Sequence, residues 1–383
     1  MHSNGTKKPL TFGDANTDSV MLPIKMARPA KSQKSRSGPL EPTTVTLKFL
    51  AEYLHLSPAT VSLVINQSPA AKSIPERTQE KVLRAAKKFD YRPNFYARHL
   101  SKKRTFTVGV VVPEISEGYA ALVLSGVEDR LLQEGYFYFV VSHRGRQDLI
   151  DEYPRLLMDR AVEGLILVNT PLHHGLSVPT VAVSPHGRRK GVTAITLNNH
   201  RGGWLALEHL AHLGHKRIAF FKGHPGSADT DSRWAGVCEA ASELGIEVRP
   251  ELTLQLQGGG KQPEPSTPEE GIVYAGKLLE TGQRFSALLA FNDMSAIGAI
   301  RAFCDAGYRV PQDISVIGFD DVQTAAYLNP RLTTVRQPLR RMGEAAAVSL
   351  LERISNAEVR SEDIVVEPEL MVRESTCAPD LNG

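Results

Sequence analysis

The spacing of apolar residues changes abruptly near residue 107, and this change constrains the fold more than any other feature of the sequence. Through residues 45–100, apolar side chains recur at intervals of three and four, which predicts three short helices. From residue 107 onward, short apolar runs alternate with amphipathic stretches, which predicts strands alternating with helices. We therefore expect a small helical head followed by a large α/β body.

The alternation in the body predicts parallel sheets with helices on both faces. The predicted strands are residues 108–112, 136–141, 164–168, 180–183, 217–221, 287–291 and 315–319. The predicted helices are residues 121–134, 203–213, 235–244, 295–306 and 342–354. The segment 257–268 is rich in Gly and Pro and is predicted to be a surface loop.

Charge divides the chain at the same place. Residues 1–104 contain 19 Lys and Arg against 7 Asp and Glu, a surplus of +12, whereas the remaining residues contain 26 against 35, a balance of −9. A basic head on an acidic body favours a polyanion as the partner of the head, and a solvated basic arm without function is the alternative.

The cysteines and the hydropathy pattern limit the class of protein. Cys238, Cys304 and Cys377 lie far apart, without a histidine at metal-ligand spacing, so the sequence supports neither a disulfide framework nor a zinc site. No apolar run approaches the roughly 18 to 20 residues that span a bilayer, and the N-terminus lacks the apolar core of a secretion signal. We expect a cytoplasmic protein with no membrane partner, no metal and no cofactor.

The first 43 residues are rich in Ser, Pro, Lys, Gly and Asn without apolar periodicity, which predicts a disordered arm. Met21 and Met26 leave open that translation begins later than Met1. The basic residues between 25 and 36 leave open a contact with DNA phosphates.

A helix-turn-helix is predicted inside the head. Ser57 followed by Pro58 indicates a helix start, because Ser caps free backbone N–H groups and Pro is preset for the first helical position. Residues 55–57 alone join this helix to the preceding one at 46–54, which is the tight connection of a helix-turn-helix. A surface helix in a plain bundle is the alternative. The residues predicted to face outward are Ala59, Thr60, Ser62, Leu63 and Asn66, opposite Val61, Val64 and Ile65.

Three motifs follow one another through the head. They are Val45-Thr46-Leu47-x-x-Leu50-Ala51, then Leu56-Ser57-Pro58-Ala59-Thr60-Val61-Ser62-x-Val64-Ile65-Asn66, then Thr78-x-x-Lys81-Val82 continuing to Phe89-x-Tyr91-x-Pro93-Asn94-x-x-Ala97-Arg98-x-Leu100. Their order and spacing resemble the head of the lactose/galactose-repressor (LacI/GalR) family. The resemblance implies a sequence-specific DNA-binding transcriptional regulator that binds a palindromic operator as a homodimer.

The resemblance also implies individual DNA contacts. The residues implied to contact phosphates are Thr46, Ser57, Ser62, Asn66 and Tyr91, and those implied to contact bases are Pro58, Ala59, Thr60 and Leu63. Three positions depart from the family pattern. Leu63 replaces an Arg that reads guanine, so readout there shifts towards apolar contact with a thymine methyl. His55 replaces a turn Gly, at a cost of up to about 1 kcal/mol if it is left-handed, and Phe49 replaces an acidic residue.

The segment 93–101 resembles the hinge helix of the family, which folds in the minor groove when two subunits pair. Leu100 would be the wedge inserted between base steps, an arrangement that kinks the duplex. Asn94 and Ala97 would lie along the groove floor, and Arg98 near a phosphate.

The resemblance continues through the body to about residue 373. Its markers are Leu213-Gly214-His215-x-Arg217, Arg233-x-x-Gly236, Phe291-Asn292-Asp293-x-x-Ala296-x-Gly298, Asp313 to Asp321, Pro330-x-Leu332-Thr333-Thr334 and Met342-Gly343. They imply a bilobed α/β body like that of the periplasmic sugar-binding proteins, with two doubly wound parallel sheets. The implied domains are a disordered arm (1–43), the DNA-binding domain (44–92), a hinge (93–104), a two-lobed effector-binding and dimerisation domain (105–376) and a tail (377–383).

Ligands of such sheets lie outside the carboxyl ends of the strands. Arg233, Asn292 and Asp320 fall there and match effector-contacting positions of the family, and Tyr119 and Ser184 are further candidates. Asn and Asp bond directionally to hydroxyls, and Arg offers a fork, so a sugar, another polyol or a purine fits. A capping carboxylate at Asp320 and a surface salt bridge at Arg233 are the alternatives. His215 is expected to pack rather than bind.

Two rival classes are weighed against a regulator. A ligand-binding transport protein shares the body but leaves the head unexplained. An α/β enzyme such as a kinase or dehydrogenase is disfavoured, because Gly260-Lys261-Gln262 lacks the Ser/Thr and the upstream Gly of a phosphate-binding loop. No paired carboxylates or nucleophile elbow stand out, so the sequence predicts no catalysis. Whether the effector releases or strengthens DNA binding stays open.

Overall fold

The computed structural model describes residues 45–91, 104–115, 118–225, 228–257 and 267–379. Two compact units divide between residues 97 and 98. The predicted arm and the predicted hinge contacts of Asn94, Ala97, Arg98 and Leu100 lie outside the described residues, as does most of the predicted 257–268 loop. No helix within the described ranges has the length and apolar character needed to cross a membrane.

Three α-helices form the head, as the apolar spacing predicts. They are α1 (Leu47–Leu54), α2 (Pro58–Ile65) and α3 (Glu76–Lys88), with a short 3-10 helix at Pro69–Ser73 between the last two. Each helix contributes two buried residues to one core, made of Leu50, Ala51, Val61, Val64, Val82 and Ala85. So small a core depends on every member, since losing a fully buried Leu typically costs 2–5 kcal/mol.

The first lobe of the body is a parallel sheet with the strand order β11-β5-β4-β3-β1-β2. Its strands are β1 (Thr107–Val112), β2 (Phe137–Ser142), β3 (Gly164–Val168), β4 (Thr180–Val183), β5 (Val192–Leu197) and β11 (Ile364–Val366). Its helices are α4 (Gly118–Gln133), α5 (Gln147–Asp159) and α10 (Leu339–Ser355). Every residue of β1, β3 and β4 is buried, as expected for the inner strands of a parallel sheet.

The second lobe has the strand order β12-β10-β9-β8-β6-β7. Its strands are β6 (Ile218–Lys222), β7 (Thr253–Gln255), β8 (Ala287–Leu289), β9 (Ser315–Asp320), β10 (Thr333–Arg336) and β12 (Glu369–Met371). Its helices are α6 (Asn199–His212), α7 (Ala228–Leu244), α8 (Pro268–Glu280) and α9 (Asp293–Asp305). The sheet is parallel as predicted, apart from its edge strand β12, which pairs antiparallel with β10.

The chain passes between the two lobes three times, at residues 197–199, 336–339 and 366–369. Hydrogen bonds join the first and third crossovers, since the Asn198 backbone N–H donates to the Val366 carbonyl at 2.8 Å and the Asn198 side chain donates to Glu367 at 3.1 Å. Neither lobe is therefore one continuous stretch of sequence.

Glycines face each other where three pairs of helices cross. A Cβ added at Gly126 of α4 would lie 1.9 Å from the Arg340 carbonyl oxygen, and one at Gly343 of α10 would lie 2.0 Å from the Val123 carbonyl oxygen. The crossings of α6 with α7 and of α8 with α9 repeat this arrangement, through Gly203 with Gly236 and Gly271 with Gly298. The helices approach so closely because no side chain separates their backbones.

Candidate DNA-binding helix and ligand cleft

The start of α2 is fixed by its own sequence. The Ser57 hydroxyl oxygen accepts a hydrogen bond from the Thr60 backbone N–H at 3.1 Å and lies 2.8 Å from the Thr60 hydroxyl oxygen. Pro58 occupies the first helical position, where its missing N–H costs nothing. Ser57, Pro58 and Ala59 are exposed, so this end of the helix is open to a ligand.

The two faces of α2 differ as predicted. Val61 and Val64 are buried in the core of the head, and Ile65 packs against that core. The opposite face carries partly exposed Thr60, Ser62, Leu63 and Asn66 in addition to exposed Ala59. The Asn66 amide donates to the Ser62 hydroxyl at 3.1 Å, which orients both polar side chains on the same face. A face of small and polar groups is what a helix presents to a major groove.

The turn before α2 carries the predicted strain. His55 has a left-handed backbone with φ of 53°, and its N–H closes α1 by donating to the Glu52 carbonyl at 3.2 Å. At the other end of α1, the Thr46 hydroxyl accepts from the Phe49 backbone N–H at 3.1 Å. Tyr91 is half-buried against the core of the head.

Phe49 stands where the family pattern has an acidic residue, and it has a packing role instead. Its ring meets the Phe89 ring edge to face at 5.2 Å, and Tyr53 meets Phe89 at 4.8 Å. This aromatic group ties α1 to the end of α3, and such pairs contribute about 0.5–1.5 kcal/mol beyond their burial.

A cleft of about 260 Å³ lies at the carboxyl ends of the strands, lined by both lobes of the body. Four of the five predicted effector residues, Tyr119, Arg233, Asn292 and Asp320, line it. The fifth, Ser184, is buried behind Tyr119 and lies 2.8 Å from the Tyr119 hydroxyl oxygen. The structure therefore places the five predicted residues together. Four of them line the cleft, and Ser184 is the hydrogen-bond partner of the Tyr119 hydroxyl.

Arg233 is held rigidly in the cleft. Its guanidinium lies between two rings, 3.4 Å from the Phe319 centroid and 4.7 Å from the Phe291 centroid. It donates to the Phe291 carbonyl at 2.6 Å and to the Asn199 side-chain oxygen at 2.9 Å. Burial lowers the pKa of Arg233, and the carboxylates of Asp320 and Asp229 oppose that shift. The alternative of a surface salt bridge does not describe this buried, stacked guanidinium.

Asp229 lines the cleft and was missed by the sequence analysis. The Asn199 amide donates to the Asp229 carboxylate at 2.9 Å, so Asn199 holds Asp229 and Arg233 together. Burial raises the pKa of Asp229, whereas the Arg233 charge lowers it. A signal was available in the sequence, because Asp229 precedes Arg233 by four residues on α7 and such residues share one helix face.

Asp320 ends β9 with its carboxylate in the cleft and an unusual backbone, with φ of 116°. Burial raises the pKa of Asp320 to about 6, although Arg233 and the Gln337 hydrogen bond act against the shift. The Gln337 amide donates to this carboxylate at 2.6 Å. Strained backbone of this kind persists where the surrounding structure holds it, often at binding sites.

Asn292 combines a capping role with its position in the cleft. Its side-chain oxygen accepts from the Ser295 backbone N–H at 3.0 Å, which caps α9. The neighbouring Asp293 is buried and structural, because its carboxylate accepts from the Val322 N–H at 2.8 Å and from the Thr334 hydroxyl at 2.6 Å.

Three histidines line the cleft, and a fourth packs in the core. His143, His186 and His224 line the cleft and were also missed. Burial lowers the pKa of His143 to about 4, so its imidazole is neutral at pH 7. His215 lies elsewhere, 2.8 Å from the Ser286 hydroxyl and 2.9 Å from the Cys377 carbonyl, and packs as expected. The described ranges contain no cluster of His, Cys, Asp and Glu arranged to hold a metal ion.

The cleft thus offers fixed donors and acceptors around an aromatic wall. Arg233 and Asn292 supply N–H donors, Asp229 and Asp320 supply acceptors, and Phe291 supplies an apolar face. Such a set matches a small, polar molecule with several hydroxyl or amide groups.

Both parts of the chain match known families. Residues 46–94 match the bacterial regulatory proteins of the lacI family, and residues 207–376 match a periplasmic binding protein-like domain. The HTH-type transcriptional repressor PurR of Mannheimia succiniciproducens is 31% identical over 338 residues, covering 86% of this chain and 98% of that protein. PurR of Aliivibrio fischeri strain MJ11 is 32% identical with the same coverage.

Solved structures resemble most of this chain in fold. A lac repressor dimer bound to operator and the anti-inducer ONPF has a TM-score of 0.76 at 27% identity, covering 88% of this chain and 100% of that one. A complex of the transcriptional regulator CelR with cellobiose has a TM-score of 0.63 at 29% identity, covering 86% of this chain and 99% of that one.

Proposed function

This chain belongs to the LacI family of bacterial regulatory proteins and is a DNA-binding transcriptional regulator, and we propose that it represses genes as a homodimer bound to a palindromic operator. The capped, exposed start of α2 carries the proposal for DNA reading. Two copies of this helix enter successive major grooves about one helical turn apart. Base contacts come from Pro58, Ala59, Thr60 and Leu63.

The proposed phosphate contacts fix the register of the head on the duplex. They come from Thr46, Ser57, Ser62, Asn66 and Tyr91. The proposed hinge, residues 93–104, completes the interface through Asn94, Ala97, Arg98 and the Leu100 wedge. We propose that the protein acts in the cytoplasm on chromosomal DNA and, like the transcriptional repressors that it resembles, has no enzymatic role.

We further propose that the cleft binds a sugar or a similar uncharged polar metabolite. Support comes from the fixed array of Asp229, Arg233, Asn292 and Asp320, which together donate to and accept from hydroxyl groups. Phe291 offers a face on which a sugar ring packs. A neutral ligand suits a cleft whose single Arg is opposed by two carboxylates.

Control of DNA binding follows from the position of the cleft between two lobes. An effector that contacts both lobes favours one relative orientation of the lobes, and it shifts the equilibrium by its difference in affinity for the two states. The three crossovers are the segments at which that reorientation takes place.

DNA reading is tested by a substitution at the start of α2. In Ala59→Glu, a carboxylate faces the DNA backbone, while acidic residues at a helix N-terminus do not harm folding. We expect operator affinity, measured by fluorescence anisotropy on duplexes selected from a random pool, to fall at least tenfold. Ala70→Glu, at an exposed position in the 3-10 helix, is the matched control. Equal affinities for the two variants would reject the role of α2.

Effector binding is tested by thermal shift with a library of sugars, nucleosides and purine bases, since a ligand of the native state raises the melting temperature. Asp320→Ala is expected to abolish the shift given by the ligand found. A full shift in that variant would remove Asp320 from the site.

A further inference from the structure

A second cavity, of about 350 Å³, lies in the first lobe over β4 and β5. Val181 and Val183 of β4 face α10, so Ala182 faces the opposite side of the sheet, where it lines this cavity with Ala194 of β5. The connection from β4 to β5 is a loop, residues 184–191, instead of a helix, and this leaves the sheet face open at that point.

The loop over the cavity concentrates positive charge. Arg188, Arg189 and Lys190 follow one another and all three line the cavity. Arg188 pairs with Asp363 at 3.1 Å, whereas Arg189 and Lys190 have no ion pair with any residue in the described ranges. Among the lining residues, Asp363 is the acidic side chain.

A further cation lies beneath the loop. Arg353 of α10 donates to the Thr180 carbonyl and to the Gly191 carbonyl, both at 2.6 Å. Its partners are neutral, so its charge adds to that of the loop. Neighbouring cations without acidic partners attract an anion.

The interior of the cavity has a different character from its rim. Ala182, Val192 and Ala194 supply an apolar floor, and Ser361 supplies a hydroxyl. The combination suits a molecule with an anionic group at one end and a short carbon skeleton at the other. Guanidinium and ammonium groups together favour a dianion such as a phosphate over a single carboxylate.

We propose that this cavity is a second ligand site, which binds a small phosphorylated metabolite with its phosphate on Arg189 and Lys190 and its carbon skeleton on the apolar floor. The site is separate from the effector cleft, although His186 lines both cavities. The proposal does not depend on which effector occupies the cleft.

The test uses the full-length protein and isothermal titration calorimetry at constant ionic strength, with inorganic phosphate, glycerol 3-phosphate and glycerol as probes. The variant is Arg189→Gln/Lys190→Gln. The matched control is Lys216→Gln/Arg217→Gln, which removes two adjacent exposed cations directly before β6 in the second lobe. Asp320→Ala, which alters the effector cleft, is included as an independent check.

We expect glycerol 3-phosphate to bind the unaltered chain, the control and Asp320→Ala with the same affinity, at least tenfold more tightly than inorganic phosphate. Glycerol is expected to give no heat, and the Arg189→Gln/Lys190→Gln variant is expected to bind at least tenfold more weakly. Equal affinities for that variant and the control would overturn the proposal. A loss of duplex DNA binding in the variant, with unchanged phosphate binding, would make the loop a DNA contact and would also overturn it.

Discussion

One methyl group added at Gly236 of α7 is expected to disturb the ligand cleft from a distance. In Gly236→Ala, the new Cβ would lie 1.9 Å from the His200 carbonyl oxygen, whereas ordinary van der Waals contact begins at 3.4 Å. Because the obstacle is backbone, α6 and α7 must separate by about 1.5 Å. Asn199 lies on α6 next to His200. Arg233 lies on α7, one turn before Gly236.

That separation is large compared with the contact between Arg233 and Asn199. Their hydrogen bond is 2.9 Å long, and about 1.5 Å more would break it, since such bonds are lost beyond roughly 3.5 Å. Overpacking of this kind typically costs about 1–3 kcal/mol of the free energy of unfolding. For a body of this size, each kcal/mol lowers the melting temperature by about 2–4 °C.

The assay is differential scanning calorimetry of Gly236→Ala with and without the effector. We expect a lower melting temperature and an effector affinity reduced at least tenfold, because Arg233 leaves its position. Gly276→Ala in α8 is the control, since its Cβ would meet nothing within 4 Å and the change should stabilise the helix by about 0.5–1 kcal/mol. If Gly236→Ala matched the control in both readouts, the close approach of α6 and α7 would be refuted.

Three further predictions concern the head and the cleft. Leu63→Arg is expected to move the preferred operator towards guanine at one position of each half-site, since Arg bonds guanine bidentately; an unchanged sequence after selection from random duplexes would contradict it. His55→Gly should stabilise the head by up to about 1 kcal/mol, because Gly adopts φ of 53° without strain; faster hydrogen exchange at Leu50 would count against it. Burial raises the pKa of Asp320 from 3.8 to about 6, so the folded chain binds its proton more tightly than the unfolded chain, and the free energy of unfolding falls as pH rises from 4 to 7. Asp320→Asn keeps an acceptor for Gln337 but removes the titrating carboxyl, so its free energy of unfolding, measured by urea denaturation, should fall less steeply with pH. Identical pH dependence in the two proteins would reject this prediction.

The central strands were predictable because they are buried on both faces. β3 and β4 have the bounds predicted from their continuous apolar runs. Five strands were missed, namely β5, β7, β10, β11 and β12. Of these, β7, β11 and β12 have three residues each, partly or fully exposed, and such a short stretch has no pattern to detect. The strands β5 and β10 are mostly buried and were missed all the same.

Helix α5 was missed for a different reason. It contains Pro154 in its interior, which a sequence argument takes as the end of a helix. Packing overrides that local preference, because Pro154, Ile150 and Leu157 are buried on one face of α5.

The sequence predicts those cleft residues that stand in recognisable motifs. It does not predict hydrogen bonds between residues that only helix packing brings together. Arg233, Asn292 and Asp320 stand in motifs at strand ends or helix starts, and they line the cleft. Asn199 bonds to both Arg233 and Asp229 because α6 packs against α7. The distance between these two helices cannot be read from the sequence.

The three passages of the chain between the lobes also bear on how the protein is made. The first lobe begins with β1, yet Ala346 and Leu350 of α10 complete its core, more than 200 residues later. During synthesis, the apolar sheet face that α10 covers stays open to water until nearly the whole chain has left the ribosome. A body shortened before residue 339 is therefore expected to aggregate rather than accumulate as a folded half.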